Sequence, residues 1–322
     1  MTTTLVMLPP QTSITREWAR RLAEAQPDLS VIVAENEADA AGAFARADAA
    51  FGTVPPALLR SASKLRWIQA PQAAPPAGWY YPELIAHPAV VTNFREIFND
   101  HIGAHIMAFV LAFARGLHQY LPQQSNREWR PAPLDTGVIH LPESTALIVG
   151  VGGIGAETAR LAAAFGMQVL GVDSRRREVP PGLAELHQEE SLDLLLPRAD
   201  FVVLTVPHTP ATEGFMNRAR FQRMKRTAFF INIGRGMTTR LDDLVAALNA
   251  GEIAGAALDV FEHEPLRSDH PLWTIPGVLI TPHTAGYGPY LDERRYDILS
   301  DNCSRFLAGQ PLRNVVDKSS WF

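Results

Sequence analysis

One stretch narrows the folds open to this chain more than any other: Ala146-Leu-Ile-Val-Gly150-Val-Gly152-Gly153-Ile154-Gly155, an apolar run that passes through glycines into an Ala-rich segment at 156–165. Gly150, Gly152 and Gly155 stand in G-x-G-x-x-G spacing between a strand pattern and a helix pattern. The first permits a tight turn, the second lets a phosphate approach the backbone, and the third lets the helix pack closely on the strand. The free N–H groups of the helix then face the phosphates. The next strand pattern ends at Asp173, about twenty residues on, where an acid suits the ribose hydroxyls of a dinucleotide. Ser174 and Arg175 continue the same turn, and Arg175, Arg176 and Arg177 offer partners to a 2′-phosphate that Asp173 would repel. The acid favours NAD(H), with NADP(H) as the alternative cofactor.

The same alternation of short apolar runs with helical patterns extends along the chain. Strand patterns at residues 5–8, 31–33, 49–51, 66–69 and 90–92, with a helix at 15–25, predict a small doubly wound parallel sheet over the first 98 residues. A long helix is expected over 103–120 from the stripe Ile106, Phe109, Val110, Phe113 and Leu117, followed by a Pro-rich connector at 122–142. A second series at 146–149, 169–173, 201–206, 229–233, 256–258 and 278–281 implies five or six further parallel strands, and 292–307 is helical again and returns to cover the first domain. The expected class is α/β, with a Rossmann dinucleotide-binding domain (99–287) inserted in a flavodoxin-like substrate domain (1–98 plus 288–322). At 322 residues the chain exceeds what one core usually holds.

Charge and cysteine content exclude several roles. A net charge of -5 supplies no basic field for nucleic acid or anionic lipid, which points to small-molecule partners. The nine-residue apolar run at 106–114 is too short to span a membrane, for which roughly 17–25 residues are needed. Residues 1–11 lack the basic and apolar segments of a secretion signal, and the single Cys303 excludes an intramolecular disulfide, so a cytoplasmic setting is expected. His101 and His105 have the spacing of a helical metal pair beside Asp100, but no glutamate lies between them and no third ligand is evident, so no metal is expected.

In open α/β sheets ligands bind beyond the carboxyl ends of the strands. Three such ends carry chemistry: Gly234-Arg235-Gly236, then Asp259-Val-Phe-Glu262-His263-Glu264-Pro265, then Thr281-Pro-His283-Thr-Ala-Gly286. They supply a cation, an acid and an imidazole. With Val206-Pro207-His208-Thr209-Pro210-Ala-Thr212, Ile231-Asn232-Ile233-Gly234-Arg235-Gly236 and the glycine fingerprint in the same order, the chain resembles the D-isomer-specific 2-hydroxyacid dehydrogenases, most strongly from Gly150 to Gly286.

The resemblance implies roles that chemistry supports separately. Holding the carboxylate and polarising the carbonyl of a 2-oxo acid suits Arg235, a planar two-pronged cation. Protonating the developing alkoxide suits His283, with Glu264 fixing its tautomer. Glu262 is the competing acid, and His263 a surface neighbour. By the same match Gly153 and Ile154 touch the pyrophosphate, Val206 and Pro207 the adenosine side, and Thr212 the cofactor again. Ile233 and Asp259 lie by the nicotinamide, with Asp259 accepting from its carboxamide, and Gly234 and Gly286 line the same cofactor. A homodimer is expected.

The family's Gly-containing substrate loop reads here Ala70-Pro71-Gln72-Ala73-Ala74-Pro75-Pro76. Prolines remove amide donors. The expected substrate contacts are therefore the amides of Ala73 and Ala74 and the side chain of Gln72. Ala104 stands where a glutamate is common. Glyoxylate, hydroxypyruvate or a bulkier 2-oxo acid fits this pattern. Formate oxidation is disfavoured, since that subgroup pairs its histidine with glutamine. The alternatives are phosphoglycerate oxidation and a dinucleotide-sensing corepressor-like binding protein on the same scaffold.

Overall fold

The computed structural model describes residues 2–75, 78–133 and 137–321. The chain forms two compact units, Met1–Ile97 with Pro289–Phe322, and Phe98–Gly288. Each is built on an all-parallel sheet, the doubly wound α/β architecture expected from the alternating pattern.

In the first unit the strands are β1 (Thr3–Met7), β2 (Leu29–Val33), β3 (Ala49–Phe51), β4 (Trp67–Gln69) and β5 (Val90–Thr92), in the order β2-β1-β3-β4-β5. That is the flavodoxin-like order. The helices α1 (Ser13–Ala25), α2 (Glu37–Phe44), α3 (Pro56–Ser61) and α4 (Pro82–Ala86) fall between the strands. A reciprocal cap starts α1: the Thr15 amide donates to Thr12 Oγ1 at 3.1 Å, and the Thr12 amide donates to Thr15 Oγ1 at 2.8 Å. Strands covered on both faces read as continuous apolar runs, and Leu5, Val6, Met7, Ala49, Ala50, Trp67 and Ile68 are all buried. The last helix, α11 (Leu291–Leu307), belongs to this unit. Gln26 Nε2 donates to its Ser300 carbonyl at 2.9 Å, and Arg21 lies over the Tyr296 ring.

A buried polar network shapes the end of β4. Trp67 Nε1 donates to Thr92 Oγ1, which donates to Gln69 Oε1, both at 2.8 Å, and Asn302 Nδ2 donates to the same Gln69 oxygen at 3.3 Å. The chain leaves this end as the loop that starts at Ala70. Asn93 Nδ2 donates to the Ala73 carbonyl at 2.8 Å, which sets the loop's path. Pro76, the last residue of the expected substrate loop, lies outside the described residues.

The second unit carries β6 (Thr145–Val149), β7 (Gln168–Val172), β8 (Glu185–His187), β9 (Phe201–Leu204), β10 (Phe229–Asn232), β11 (Gly255–Leu258) and β12 (Val278–Ile280). Their order, β12-β11-β10-β9-β6-β7-β8, is the Rossmann arrangement with one strand added. The count corrects the expected five or six: β8, Glu-Leu-His, is an edge strand without an apolar pattern. The helices are α5 (Asn99–Ala114), α6 (Leu117–Ser125), α7 (Gly153–Ala164), α8 (Leu192–Leu195), α9 (Arg218–Phe221) and α10 (Leu241–Asn249).

The long helix expected over 103–120 is two helices, α5 and α6, because Gly116 turns the chain at φ +69°. Part of the expected connector is thus helical, with Pro122 inside α6. Helix α5 lays Ile106, Phe109, Val110 and Phe113 on one face of the sheet, and the Phe113 ring stacks on Phe229 at 4.2 Å. No helix among the described residues is long and apolar enough to cross a membrane.

Candidate active site

Every residue expected in the site except Gln72, Ala73 and Ala74 belongs to the second unit. Strand β6 runs into Gly150, whose φ of +97° suits glycine and whose added Cβ would lie 2.9 Å from both the amide nitrogen and Cγ1 of Val206. Gly155 has a different task. An added Cβ there would sit 2.1 Å from the Gly150 carbonyl oxygen, so helix α7 crosses β6 at a distance only glycine allows. At Gly152 an added Cβ meets nothing within 4 Å. Open space thus lies beside Gly152, the residue that precedes α7, and the first-turn amides of that helix have no intrahelical acceptor. Such a space, bounded by free N–H groups, fits a pyrophosphate. Gly153 contributes by packing: its added Cβ would meet Asn99 Nδ2 at 2.6 Å, a neighbour that the motif does not reveal.

Asp173 follows β7 directly. Its Oδ2 accepts from the Val151 amide at 2.7 Å, and its Oδ1 accepts from the amides of Arg175 and Arg176 at 2.8 and 2.7 Å. The carboxylate therefore ties the turn containing Ser174 to the glycine loop. The Asp173 amide donates to the His187 carbonyl on β8, so the unforeseen edge strand anchors the same turn.

Beyond β9, Val206 is hemmed in by two glycines, since an added Cβ at Gly234 would lie 2.6 Å from the Val206 carbonyl oxygen. The following turn is self-bonded. Thr212 Oγ1 donates to the Pro207 carbonyl at 2.6 Å and accepts from the Thr209 amide at 2.8 Å, so its hydroxyl is committed within its own loop.

Arg235 follows β10 after Ile233 and Gly234, and Asn232 shapes that turn. The Gly234 amide donates to Asn232 Oδ1 at 3.0 Å, while Asn232 Nδ2 donates to the Arg235 carbonyl at 3.2 Å and to Thr239 Oγ1 at 3.0 Å. Burial pushes the Arg235 guanidinium below its ordinary pKa and the neighbouring Glu264 charge opposes this. It remains a cation at neutral pH. An added Cβ at Gly236 would collide with the Phe261 backbone at 1.8 Å, so the Arg235 turn and the segment leading to Glu264 touch backbone to backbone.

Glu264 and His283 form a close acid–imidazole pair. Glu264 Oε2 lies 2.7 Å from His283 Nδ1, while its Oε1 accepts from the Phe261 amide at 3.0 Å. His283 has a left-handed backbone, φ +54°, and its amide donates to the Asp259 carbonyl at 2.9 Å. Asp259 is buried, and its carboxylate accepts from the amides of Thr284 and Ala285 at 2.8 and 2.9 Å, just before Gly286. The carboxylate bound at Nδ1 leaves Nε2 of His283 for a reacting group. Glu262, the competing acid, lies instead by Leu241 and Asp242 at the start of α10, where burial raises its pKa.

The family model for the NAD-binding domain of the D-isomer-specific 2-hydroxyacid dehydrogenases matches residues 107–285, more than half of the chain. Glyoxylate/hydroxypyruvate reductase B of Klebsiella pneumoniae is 35% identical over 289 residues, which cover 86% of this chain and 87% of its own. The chain belongs to this family. As a D-2-hydroxyacid dehydrogenase it is an NAD(P)-dependent oxidoreductase.

Solved structures of the family resemble it along their length. A D-isomer-specific 2-hydroxyacid dehydrogenase from Xanthobacter autotrophicus, in complex with NADPH and MES, matches with a TM-score of 0.86 at 27% identity, covering 100% of both chains. An NADPH-dependent glyoxylate/hydroxypyruvate reductase from Sinorhizobium meliloti, in complex with NADP and sulfate, matches with a TM-score of 0.82 at 28% identity, covering 99% of this chain and 100% of its own. In this dehydrogenase Asn232 and Asn99 are among the neighbours of the site to which no sequence motif assigns a role. Asn232 lies inside the Ile231–Gly236 motif, and its burial in a polar network is what marks it.

Proposed function

We propose that this dehydrogenase reduces small 2-oxo acids of the glyoxylate and hydroxypyruvate kind with NAD(P)H. Arg235 holds the substrate, His283 is the acid/base, and Glu264 orients it. The reading rests on the 2.7 Å contact between His283 Nδ1 and Glu264 Oε2. A carboxylate there keeps the proton on Nδ1 in the neutral ring and stabilises the imidazolium, so Nε2 can give a proton to the developing alkoxide and take one back in the reverse reaction. Arg235 presents a fork matched to a carboxylate, and its charge favours the negative oxygen that forms at the substrate carbonyl. A bound nicotinamide supplies or accepts the hydride.

The unit Phe98–Gly288 serves as the dinucleotide-binding domain. Gly150, Gly152, Gly153, Ile154 and Gly155 take the pyrophosphate, while Asp173, Ser174 and Arg175 take the adenosine ribose. Val206 and Pro207 flank the adenosine side, Ile233 and Asp259 lie by the nicotinamide, and Thr212, Gly234 and Gly286 line the cofactor. The other unit serves as the substrate domain, with Gln72, Ala73 and Ala74 as its contacts. NADP(H) complexes of relatives at 27–28% identity, together with Arg176 and Arg177, support NADP(H) as a cofactor beside NAD(H).

The homodimer reading is supported by α6, which buries no residue of its own and exposes Leu117 and Leu121, with Trp129 95% exposed close behind. A buried, lone Cys303 and the net negative charge fit a cytoplasmic enzyme without nucleic-acid or membrane partners. The test of function is decay of nicotinamide absorbance with glyoxylate, hydroxypyruvate and phenylpyruvate under each cofactor. Absence of turnover with all three would sink the reading.

A further inference from the structure

His105 has no part in the roles given above, yet its ring begins a hydrogen-bonded chain that ends at Asp259. Its Nε2 lies 3.0 Å from Thr281 Oγ1, and that hydroxyl lies 2.5 Å from Asp259 Oδ1. A carboxylate can only accept, so Thr281 donates its single hydroxyl proton to Asp259. The ring must then donate Nε2–H to Thr281. The direction of both protons, and the tautomer of His105, follow from this alone. The ring stands edge-on to Phe109 at 4.7 Å, and burial lowers its pKa against the opposing charge of Asp259, which favours the neutral ring.

The consequence falls on Asp259. Its Oδ1 takes Thr281 and the Thr284 amide, whereas Oδ2, among the described residues, takes only the Ala285 amide. One acceptor position is left, and it is on Oδ2. Without a donor on its oxygen, the Thr281 hydroxyl is free to rotate away, and Oδ1 then offers a second vacancy that lets the carboxylate turn.

We propose that His105 is a positioning residue for the nicotinamide end of the cofactor: through Thr281 it saturates Asp259 Oδ1, so that the carboxylate presents Oδ2 alone to the carboxamide. The proposal rests on the reading of Asp259 as the carboxamide acceptor. His105, Thr281 and Asp259 all belong to the second unit, and Asp259 also holds the His283 loop through its carbonyl.

The experiment compares the affinity of each variant for NAD(P)H, by nicotinamide fluorescence, with its affinity for ADP-ribose, which lacks the nicotinamide. His105→Phe should weaken NAD(P)H about tenfold, the scale of one hydrogen bond lost from a charged group, and leave ADP-ribose unchanged. His105→Gln, which keeps an N–H donor, should restore most of the loss. The double variant His105→Phe with Thr281→Val should bind NAD(P)H no worse than Thr281→Val alone. Equal weakening of both ligands, additive losses in the double variant, or unchanged NAD(P)H affinity in His105→Phe would each overturn the proposal. Asp259→Asn separates the two readings. If it weakens NAD(P)H while His105→Phe does not, only the role of His105 fails; if it binds NAD(P)H normally, the reading of Asp259 fails first.

Discussion

Gly152 and Gly155 sit three residues apart in one motif, and alanine at each should do opposite things. At Gly155 the new Cβ would lie 2.1 Å from a backbone oxygen, against ordinary contacts of 3.4 Å and more, so over an ångström of strand or helix must move. Overpacking on that scale costs about 3 kcal/mol, which lowers Tm by about 6–12 °C in a unit of this size. At Gly152 the backbone has φ -75° and ψ -158°, which alanine adopts freely, and the Cβ meets nothing. Stability should therefore hold, or rise by up to about 1 kcal/mol through the unfolded chain. The methyl nevertheless occupies the space proposed for the pyrophosphate, and losing amide contacts to a charged group weakens binding by about 10- to 100-fold. Thermal melts and fluorescence titration with NAD(P)H measure both quantities. A Gly152→Ala protein that melts normally and binds the cofactor as tightly as the parent would refute the assignment of that space.

His283→Asn should lower kcat by about 10²–10⁴-fold while NAD(P)H still binds, and Glu264→Gln should fall between this variant and the parent; full turnover in the folded His283 variant would remove it from the mechanism. Asp173→Asn keeps one acceptor, enough for the Arg175 and Arg176 amides, but loses the bond to the Val151 amide and the charge, so the kcat/KM ratio of NADPH to NADH should rise, and an unchanged ratio would place the ribose elsewhere. At alkaline pH burial lifts the Cys303 thiol from an ordinary 9.0 to about 12, and the Tyr80 and Tyr81 hydroxyls from 10.0 to about 12. These are acids whose folded pKa is raised, so their contribution is whole below the unfolded values and is lost as pH rises through about 9 to 12. Tm should fall across that window, and Cys303→Ala should reduce the part of the fall that begins near pH 9.

What the sequence made legible here is what repeats along the chain. Apolar runs at strand spacing fall on β1, β3 and β6 because a parallel sheet buried on both faces tolerates little else. The glycine fingerprint is readable because its constraints are local: Gly150 and Gly155 are separated by one turn of chain and contact each other directly. Strand β8 escapes because its half-exposed Glu-Leu-His needs only backbone pairing with β7, which leaves no mark on side-chain pattern. The break between α5 and α6 escapes for a related reason. The apolar stripe runs on past Gly116, and only its positive φ ends the helix.

The site divides along the same line. Arg235, Glu264 and His283 each follow a strand that ends at the ligand side of the sheet, so topology alone draws attention to them. The side chains that hold them in place carry no such mark. Asn232 works by bonding the backbone of the turn that follows it, and His105 reaches Thr281 across 176 residues of sequence. On the helix pattern His105 is indistinguishable from a metal-spaced histidine or a satisfied core residue. What distinguishes it is direction: a carboxylate at the far end of the chain of bonds decides which way each proton points, and that depends on three residues meeting in space.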